Sequence, residues 1–454
     1  MPRIAVIFAA SLLVCPPIAA QNQEDSPEWD VTMARGETRD IDFITEEGTW
    51  MSVDRSPDGG WAVFDLLGHI YRVPVPAGGD AELLTGGTGV ATSYHPRYSP
   101  DGSLIAFITD RAGQDNLWVM NADGSDPRAV FTAPLVRAVE PAWTPDGNYI
   151  LVRRSQISQA GSPGGSGIWM YHKDGGEGVE VVGSDQPQPA WPSLSEDGRS
   201  LYFHVYTGPP GLQGRDALAG HWQVRRKDLN TGAVTDITAG TAQQQVRGSS
   251  GGAYGAEISP DGRTLAFSRR IAGGTISYRG HQFGPRNALW LRDMETGTER
   301  VVMDPITVDN AEGIKTLRIL PGYSWSPDGS EILITQGGKI RRLNVTTGDV
   351  TTIPFRARVQ RTISEMARAD FRIDDAPFSP SFLRWHNASP DGSQVAFQTI
   401  GRVWVAPLDG APTAGPPARL TASDGAFEFS PSWSPDGQWI AYTTWDGGEG
   451  GHVW

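Results

Sequence analysis

Short apolar stretches alternate with polar turns along this chain, and one turn sequence keeps returning between them. Runs rich in β-branched and aromatic side chains, such as Leu104–Ile108 and Val395–Thr399, directly follow a Ser-Pro-Asp-Gly tetrapeptide. Pro presets φ at the second position of a tight turn, and Gly tolerates the positive φ at its exit. The pattern therefore predicts β-hairpins closed by this tetrapeptide.

The turn occurs eight times, twice as a variant. The copies are Ser56–Gly59, Ser99–Gly102, Thr144–Gly147, Ser195–Gly198, Ser259–Gly262, Ser326–Gly329, Ser389–Gly392 and Ser434–Gly437. Further short runs follow the hairpins, as in Leu117–Met120 and Arg128–Thr132. Four antiparallel strands in a repeat of this length are typical of a β-propeller blade. No segment shows sustained helical periodicity. We therefore predict an all-β propeller of four-stranded antiparallel blades, with eight blades or, alternatively, seven.

The two ends of the chain suggest how the ring closes. Residues Thr38–Thr45 alternate polar and apolar side chains, as a half-buried strand does, and the last repeat stops at Trp454 in its third strand. One interpretation is that the N-terminal strand completes the last blade and removes its exposed edge. The other interpretation is that the chain is cut short inside that blade.

The first twenty residues have the features of a secretory signal peptide. Arg3 is followed by the apolar run Ile4–Val14 and by small residues that end at Ala20. We therefore expect residues 1–20 to be a signal peptide, 21–37 a flexible segment and 38–454 the propeller. Cys15 is the only cysteine, so a chain cleaved after Ala20 has no disulfide. The prediction is a periplasmic or secreted protein, and no later segment is apolar enough to span a bilayer.

Charge and loop positions indicate what kind of partner to expect. The net charge of −14 argues against nucleic-acid binding. In a four-stranded blade, connections from second to third strand and from blade to blade emerge on the same face. Five long insertions are of these kinds: Ser155–Gly167, Thr207–Gly220, Ile271–Asn287, Asp304–Leu320 and Arg356–Arg384. We expect this looped face to be a binding surface for a protein or peptide.

Basic residues on that face are the candidate binding residues. They are Arg153, Arg154, Arg269 and Arg270, where second strands end, and His221 and His281 in the inserted loops. Arginines can hold a carboxylate or an acidic peptide through bidentate contacts. The alternative is that they form salt bridges within the fold.

The sequence offers no catalytic residue, metal site or cofactor site. Gly248–Gly252 formally matches Gly-x-Ser-x-Gly, but it lies in a Gly/Ser linker, whereas that motif requires a strand before it and a helix after it. The eight histidines are scattered, without the spacing of metal ligands.

The repeat resembles a known family. The stretch from Pro96 to Gly124, which contains Tyr-Ser-Pro-Asp-Gly and Asn-Leu-Trp-Val-Met-Asn-Ala-Asp-Gly, is similar to TolB-type, WD-like propellers. More narrowly, Trp50–Asp54, Phe64–Tyr71 and Gly450–Trp454 resemble segments of secreted bacterial amidohydrolase-family proteins. Those proteins carry such repeats N-terminal to a metal-dependent hydrolase barrel.

The resemblance implies two functions. One is a non-catalytic periplasmic propeller that binds a protein or peptide through its looped face. The other is the N-terminal propeller of an amidohydrolase, where the same face meets a hydrolase domain of the parent chain. The hydrolase barrel and its His-x-His site do not occur in this sequence. The resemblance therefore transfers no catalytic residue.

Overall fold

The protein is built from β-strands. The structure, a computed structural model, describes residues 30–34, 36–75, 77–157, 163–207, 222–238, 251–271, 276–278, 281–283, 286–307, 321–364, 377–408, 415–422, 425–448 and 450–454. All regular elements in these ranges are strands, most of them in four-stranded antiparallel sheets. The predicted all-β propeller of four-stranded blades is therefore confirmed. Within the same ranges, no helix is long and apolar enough to cross a membrane.

The chain divides into two compact units, residues 1–366 and 367–454. The first unit contains six four-stranded sheets, which we call blades one to six in chain order. Blade one has β2 (Val53–Arg55), β3 (Trp61–Leu66), β4 (His69–Pro74) and β6 (Glu82–Leu83); blade two has β7 (Ser93–Tyr98), β8 (Leu104–Thr109), β9 (Asn116–Asn121) and β10 (Arg128–Phe131). Blade three has β11 (Val136–Trp143), β12 (Tyr149–Ile157), β13 (Pro163–His172) and β14 (Val179–Val182).

The remaining three blades follow the same order. Blade four has β15 (Ala190–Leu194), β16 (Ser200–Tyr206), β17 (Trp222–Asp228) and β18 (Val234–Asp236); blade five has β19 (Gly251–Ile258), β20 (Thr264–Ile271), β23 (Arg286–Asp293) and β24 (Glu299–Ile306). Blade six has β25 (Ser324–Trp325), β26 (Glu331–Gln336), β27 (Lys339–Asn344) and β28 (Val350–Ile353). A small hairpin, β21 (Ile276–Tyr278) with β22 (His281–Phe283), lies between the second and third strands of blade five.

The Ser-Pro-Asp-Gly turns lie where the first strand of a blade connects to the second. In blade two, Asp101 accepts hydrogen bonds from the Ser99 hydroxyl at 2.6 Å and from the Ser103 backbone N–H at 3.0 Å. Gly102 has φ of 73°, which disfavours a residue with a side chain. A Cβ atom on Gly102 would lie 3.5 Å from Cδ of Pro57, so this turn packs on the turn of the preceding blade.

An apolar cluster fills each interface between neighbouring blades and closes a ring. Five clusters join blades one to six in sequence. A sixth joins the last blade to the first, since Leu333 and Ile340 pack with Met51 and Phe64. The Thr335 hydroxyl also donates to the Met51 carbonyl at 2.6 Å. The ring in residues 1–366 therefore has six blades, where the repeat count predicted eight or seven.

The N-terminal strand has a different partner from the one predicted. β1 (Thr38–Thr45) forms as expected, but it pairs antiparallel along its whole length with β29 (Phe355–Ser364). β29 also pairs in parallel with β5 (Gly79–Asp80). The prediction that β1 completes the last blade is wrong, because β29 offers a complementary strand edge and the ring closes without β1. The predicted insertion Arg356–Arg384 is accordingly a strand over its first part.

The second unit contains the last two repeats. The seventh sheet has β30 (Arg384–Ala388), β31 (Gln394–Thr399), β32 (Arg402–Pro407) and β33 (Ala418–Arg419); the eighth has β34 (Phe427–Trp433), β35 (Ile440–Asp446) and β36 (Gly450–Val453). Both contain the predicted hairpin, so all eight repeats fold as the sequence pattern indicates. The predicted propeller range, residues 38–454, contains the described strands of both units.

Candidate functional site

The innermost strands of blades two, three and four each contain a bulge with a buried residue near the centre of the ring. The strand register shifts between Tyr94 and Arg97, between Val139 and Ala142, and between Ala190 and Ser193. Within these bulges His95, Glu140 and Trp191 have φ of 52°, 60° and 56°. A positive φ in residues of this size costs about 1–3 kcal/mol each. All three side chains are buried.

Glu140 connects blades three and four. Its carboxylate pairs with Arg153, with both N···O distances at 3.0 Å, and accepts the Trp191 backbone N–H at 2.8 Å. The side chains of Glu140 and Arg153 are each only 5% exposed. Because both charges are buried, each depends on the other for compensation.

Arg97 forms a second centre that connects four blades. Its guanidinium lies 3.0 Å from Glu257 and 3.5 Å from Asp54, and donates to the Tyr323 carbonyl at 2.8 Å. Trp191 Nε1 donates to the same Glu257 carboxylate at 3.0 Å. Burial raises the pKa of both Asp54 and Glu257, and the nearby Arg97 charge opposes that rise.

Buried titratable side chains surround these two centres. Asp65 accepts the backbone N–H groups of Ser52 at 3.0 Å and His95 at 2.7 Å, and burial raises its pKa to about 6. Burial lowers the pKa of His204 to about 3, and its Nδ1 accepts the Gly255 N–H at 3.1 Å. Burial also lowers the pKa of His95 well below its usual value. The buried imidazoles are therefore neutral near pH 7.

Three arginines at the ends of second strands, Arg153, Arg154 and Arg269, contact residues of their own blade or of a neighbouring blade. Arg154 lies 4.1 Å above the Trp169 ring, and Arg269 lies 4.9 Å above the Trp290 ring. Arg269 also pairs with Glu299 at 2.7 Å. Of the predicted binding residues, Arg153, Arg154 and Arg269 therefore contact carboxylates or aromatic rings. The structure does not bring these three to one common site.

The other predicted binding residues are less fully described. Arg270 lies in β20 and His281 in β22, and the structure gives only their backbone positions. His221 lies outside the described residues. The Gly248–Gly252 segment lies mostly outside them as well. Among the described residues, no group of three or more His, Cys, Asp or Glu side chains has the geometry of a metal site.

The two ends of the ring differ in their connections. At one end, which we call the turn end, the first and second strands join through five-residue turns such as 56–60 and 259–263. At the opposite end, the long-loop end, the four longest connections of the ring are residues 207–221, 237–250, 272–285 and 307–323. All four belong to blades four, five and six. Three of them overlap the predicted insertions Thr207–Gly220, Ile271–Asn287 and Asp304–Leu320, whereas the connection 237–250 was not predicted. The predicted insertion Ser155–Gly167 is wrong in its extent, because β12 continues to Ile157 and β13 begins at Pro163.

Aromatic side chains cluster near the strand ends where these connections begin or end. Trp191, Tyr206, Trp222, Tyr254 and Tyr323 belong to one buried cluster. Two of them stand at the ends of the 207–221 connection, since Tyr206 and Trp222 pack at a centroid distance of 5.4 Å. The cavity in this part of the described structure has a volume of about 10 Å³, room for about one water molecule. All five aromatic side chains are buried. Sequence reasoning missed this cluster, although Trp191-Pro192 before a hairpin was a visible signal.

Comparisons with known proteins give distant similarities. No protein-family profile matches the chain. It is 28% identical over 196 residues to the "Uncharacterized peptidase YuxL" of Bacillus subtilis, covering 42% of this chain and 24% of that protein. It is 24% identical over 285 residues to the "Uncharacterized protein Atu1656" of Agrobacterium fabrum, covering 61% of this chain and 80% of that protein. The solved structure of a putative TolB from Agrobacterium tumefaciens has a TM-score of 0.45 and 20% identity, covering 65% of this chain and 96% of that one.

Proposed function

We propose that this chain is an exported propeller that binds a protein or peptide through the long-loop end of blades four to six. The observation that carries the proposal is the placement of the four longest connections on three consecutive blades. Loops on a rigid scaffold are where binding residues concentrate in many folds. Six packed blade interfaces and a buried aromatic cluster provide that scaffold here.

The buried centres support a positioning role rather than chemistry. Arg97 and Glu140 hold the inner strands of blades one to six in fixed register through short, buried contacts. A Cβ atom on Gly322 would lie 3.0 Å from His95 Nε2, so the start of blade six also approaches this centre closely. These contacts fix the inner strands β19 and β25, at which two of the long connections, 237–250 and 307–323, end.

A second candidate is that the same end contacts a catalytic domain of a longer parent chain, an amidohydrolase in the interpretation from the sequence. One observation favours it: the match to the Bacillus peptidase covers only 24% of that protein. The propeller then flanks a hydrolase domain instead of binding a separate partner. Both candidates use the long-loop end, and they differ in whether the partner belongs to the same polypeptide.

Site-specific photo-crosslinking in the cells that produce the protein tests both candidates. A photoreactive residue replaces Thr207 or Thr307 at the long-loop end, and Glu295 or Thr346 at the turn end of blades five and six serves as the control. We expect one common crosslinked product from the first pair and none from the control pair. Equal crosslinking from both ends would refute the proposal. Mass spectrometry of the product distinguishes a separate partner from further residues of the same chain.

Export is tested separately by the mass of the protein recovered from the cell envelope or the medium. Cleavage after Ala20 predicts an N-terminus at Gln21 and no cysteine in the product. Recovery of the protein from the cytoplasm with Met1 intact would contradict the periplasmic or secreted location.

A further inference from the structure

A groove of about 580 Å³ lies at the turn end between blades three and four. This volume falls in the range of ligand pockets, about 300–1,000 Å³. Apolar side chains that line it are Leu151, Met170, Val181, Leu194 and Leu229. Acidic side chains that line it are Asp146, Glu180, Glu196 and Asp197. The groove therefore combines an apolar surface with four carboxylates.

Four carboxylates give this groove a negative charge, and Asp146 and Asp197 also accept hydrogen bonds within their own turns. Hydrogen bonds from Thr144 and Ser195 lower the pKa of Asp146 and Asp197, respectively. None of the four carboxylates lies in an ion pair with another described residue. The one cation lining the groove, Lys227, donates to the Val181 carbonyl at 2.6 Å.

One of the four carboxylates, that of Glu196, occupies a position where the other turns have proline. Glu196 replaces Pro in the Ser-Pro-Asp-Gly turn of blade four, and it is the only such exchange among the eight turns. At several interfaces the Pro of one turn packs on the Gly of the next, as Pro100 does on Gly147. Next to Glu196 this contact is missing, since a Cβ atom on Gly262 would have no neighbour within 4 Å. The exchange removes an interblade contact and adds a negative charge to the groove.

We propose that this groove binds an extended, basic peptide segment in which apolar residues are flanked by lysine or arginine. The apolar side chains would pack on Met170, Leu194 and Leu229, and the flanking cations would face the carboxylates. Like-charge repulsion excludes acidic peptides, so the groove selects its peptide by charge as well as by shape. Because the groove lies at the end opposite the long connections, the proposal is independent of the one above.

Calorimetric titration of the whole chain with synthetic peptides tests the proposal. The probe is acetyl-Lys-Leu-Phe-Lys-amide, and the comparison peptides replace either both lysines by glutamate or both apolar residues by serine. We expect binding of the probe that weakens as salt rises, and at least tenfold weaker binding of both comparison peptides. Glu196→Pro restores the turn sequence of the other blades and should weaken probe binding up to about fivefold, the loss of one charge contact at an exposed site.

Matched variants separate the groove from general charge attraction. Glu177→Gln removes one exposed carboxylate from the same end of blade three without touching the groove, and should leave probe binding unchanged. Leu229→Ser removes an apolar contact from the partly exposed wall and should weaken probe binding severalfold. The proposal is overturned if the probe does not bind, if the glutamate peptide binds equally well, or if Glu196→Pro and Glu177→Gln have the same effect.

Discussion

At the scale of single residues, Glu140 has both a strained backbone and a buried carboxylate that pairs with Arg153. Glu140 adopts a positive φ, and its carboxylate satisfies both the Arg153 guanidinium and the Trp191 N–H. Removing one partner of a buried ion pair leaves the other charge uncompensated. The strained backbone of the bulge therefore depends on this carboxylate.

We predict that Glu140→Gln lowers the free energy of unfolding by about 3–5 kcal/mol, the usual cost of breaking a buried pair. Urea unfolding followed by tryptophan fluorescence measures the loss. The double variant Glu140→Gln/Arg153→Met removes both charges and should recover part of the stability. A loss below about 1 kcal/mol in the single variant, typical of an exposed pair, would contradict the role given to Glu140.

Buried histidines make the stability depend on pH. The pKa of His204 is about 3 in the folded protein, below its ordinary value of 6.5. Between those values the unfolded chain binds a proton that the folded chain does not, so stability falls as pH falls. Asp65, with its pKa raised to about 6 from 3.8, acts in the opposite direction between those two values.

We predict that His204→Asn reduces the loss of stability between pH 6.5 and pH 4 by up to about 1.4 kcal/mol per pH unit, the contribution of one proton. Asn Oδ1 can accept the Gly255 N–H that His204 Nδ1 accepts now. Thermal unfolding across that pH range measures the slope. An unchanged slope in His204→Asn would show that its protonation does not differ between the two states.

At the scale of elements, the question is whether the strand β1 contributes to the closure of the ring. Its side chains are mostly exposed, and its bidentate ion pair, Arg358 with Asp42 at 2.6 and 2.9 Å, lies on the surface. Exposed pairs contribute about 1 kcal/mol or less. The apolar cluster between blades one and six contains residues of β29 but none of β1.

We predict that a chain starting at Glu46, without β1, keeps the ring folded and loses only a few degrees in Tm. Circular dichroism and thermal unfolding measure both properties. Leu333→Ala in the closing cluster is the comparison, and it should cost about 2–5 kcal/mol, as for other buried leucines. Complete unfolding of the shortened chain would restore β1 to the closing role that the sequence suggested.

The sequence predicted the individual strands and hairpins, but it did not predict which of them pack against one another. Turn chemistry and the short apolar runs predict the hairpins and the strand Thr38–Thr45, because both depend on local residues. The hydrogen bond from Thr335 to Met51 joins residues 284 positions apart, and no repeat count predicts which of these sheets meet. The same holds for the arginines: Arg154 and Trp169 were both visible, but their contact requires the pairing of β12 with β13.

At the scale of the whole molecule, a ring that six blades close is expected to fold without the seventh and eighth repeats. Every blade from one to six has an apolar cluster on both sides, so no interface inside residues 1–366 requires a further blade. An open ring, in contrast, exposes apolar sheet faces and favours aggregation. The two arrangements therefore predict opposite behaviour when the chain is shortened.

We predict that residues 30–364 alone form a monomer that unfolds in one cooperative transition, because all six interfaces are retained. Removing blade six as well, in a chain that ends at Ile306, destroys the two clusters that contain Leu333 and Ile332 and should give an aggregating or unfolded product. Light scattering and calorimetry distinguish these outcomes. If the chain ending at Ser364 also aggregates, the seventh and eighth repeats are required for closure, and the ring is larger than six blades.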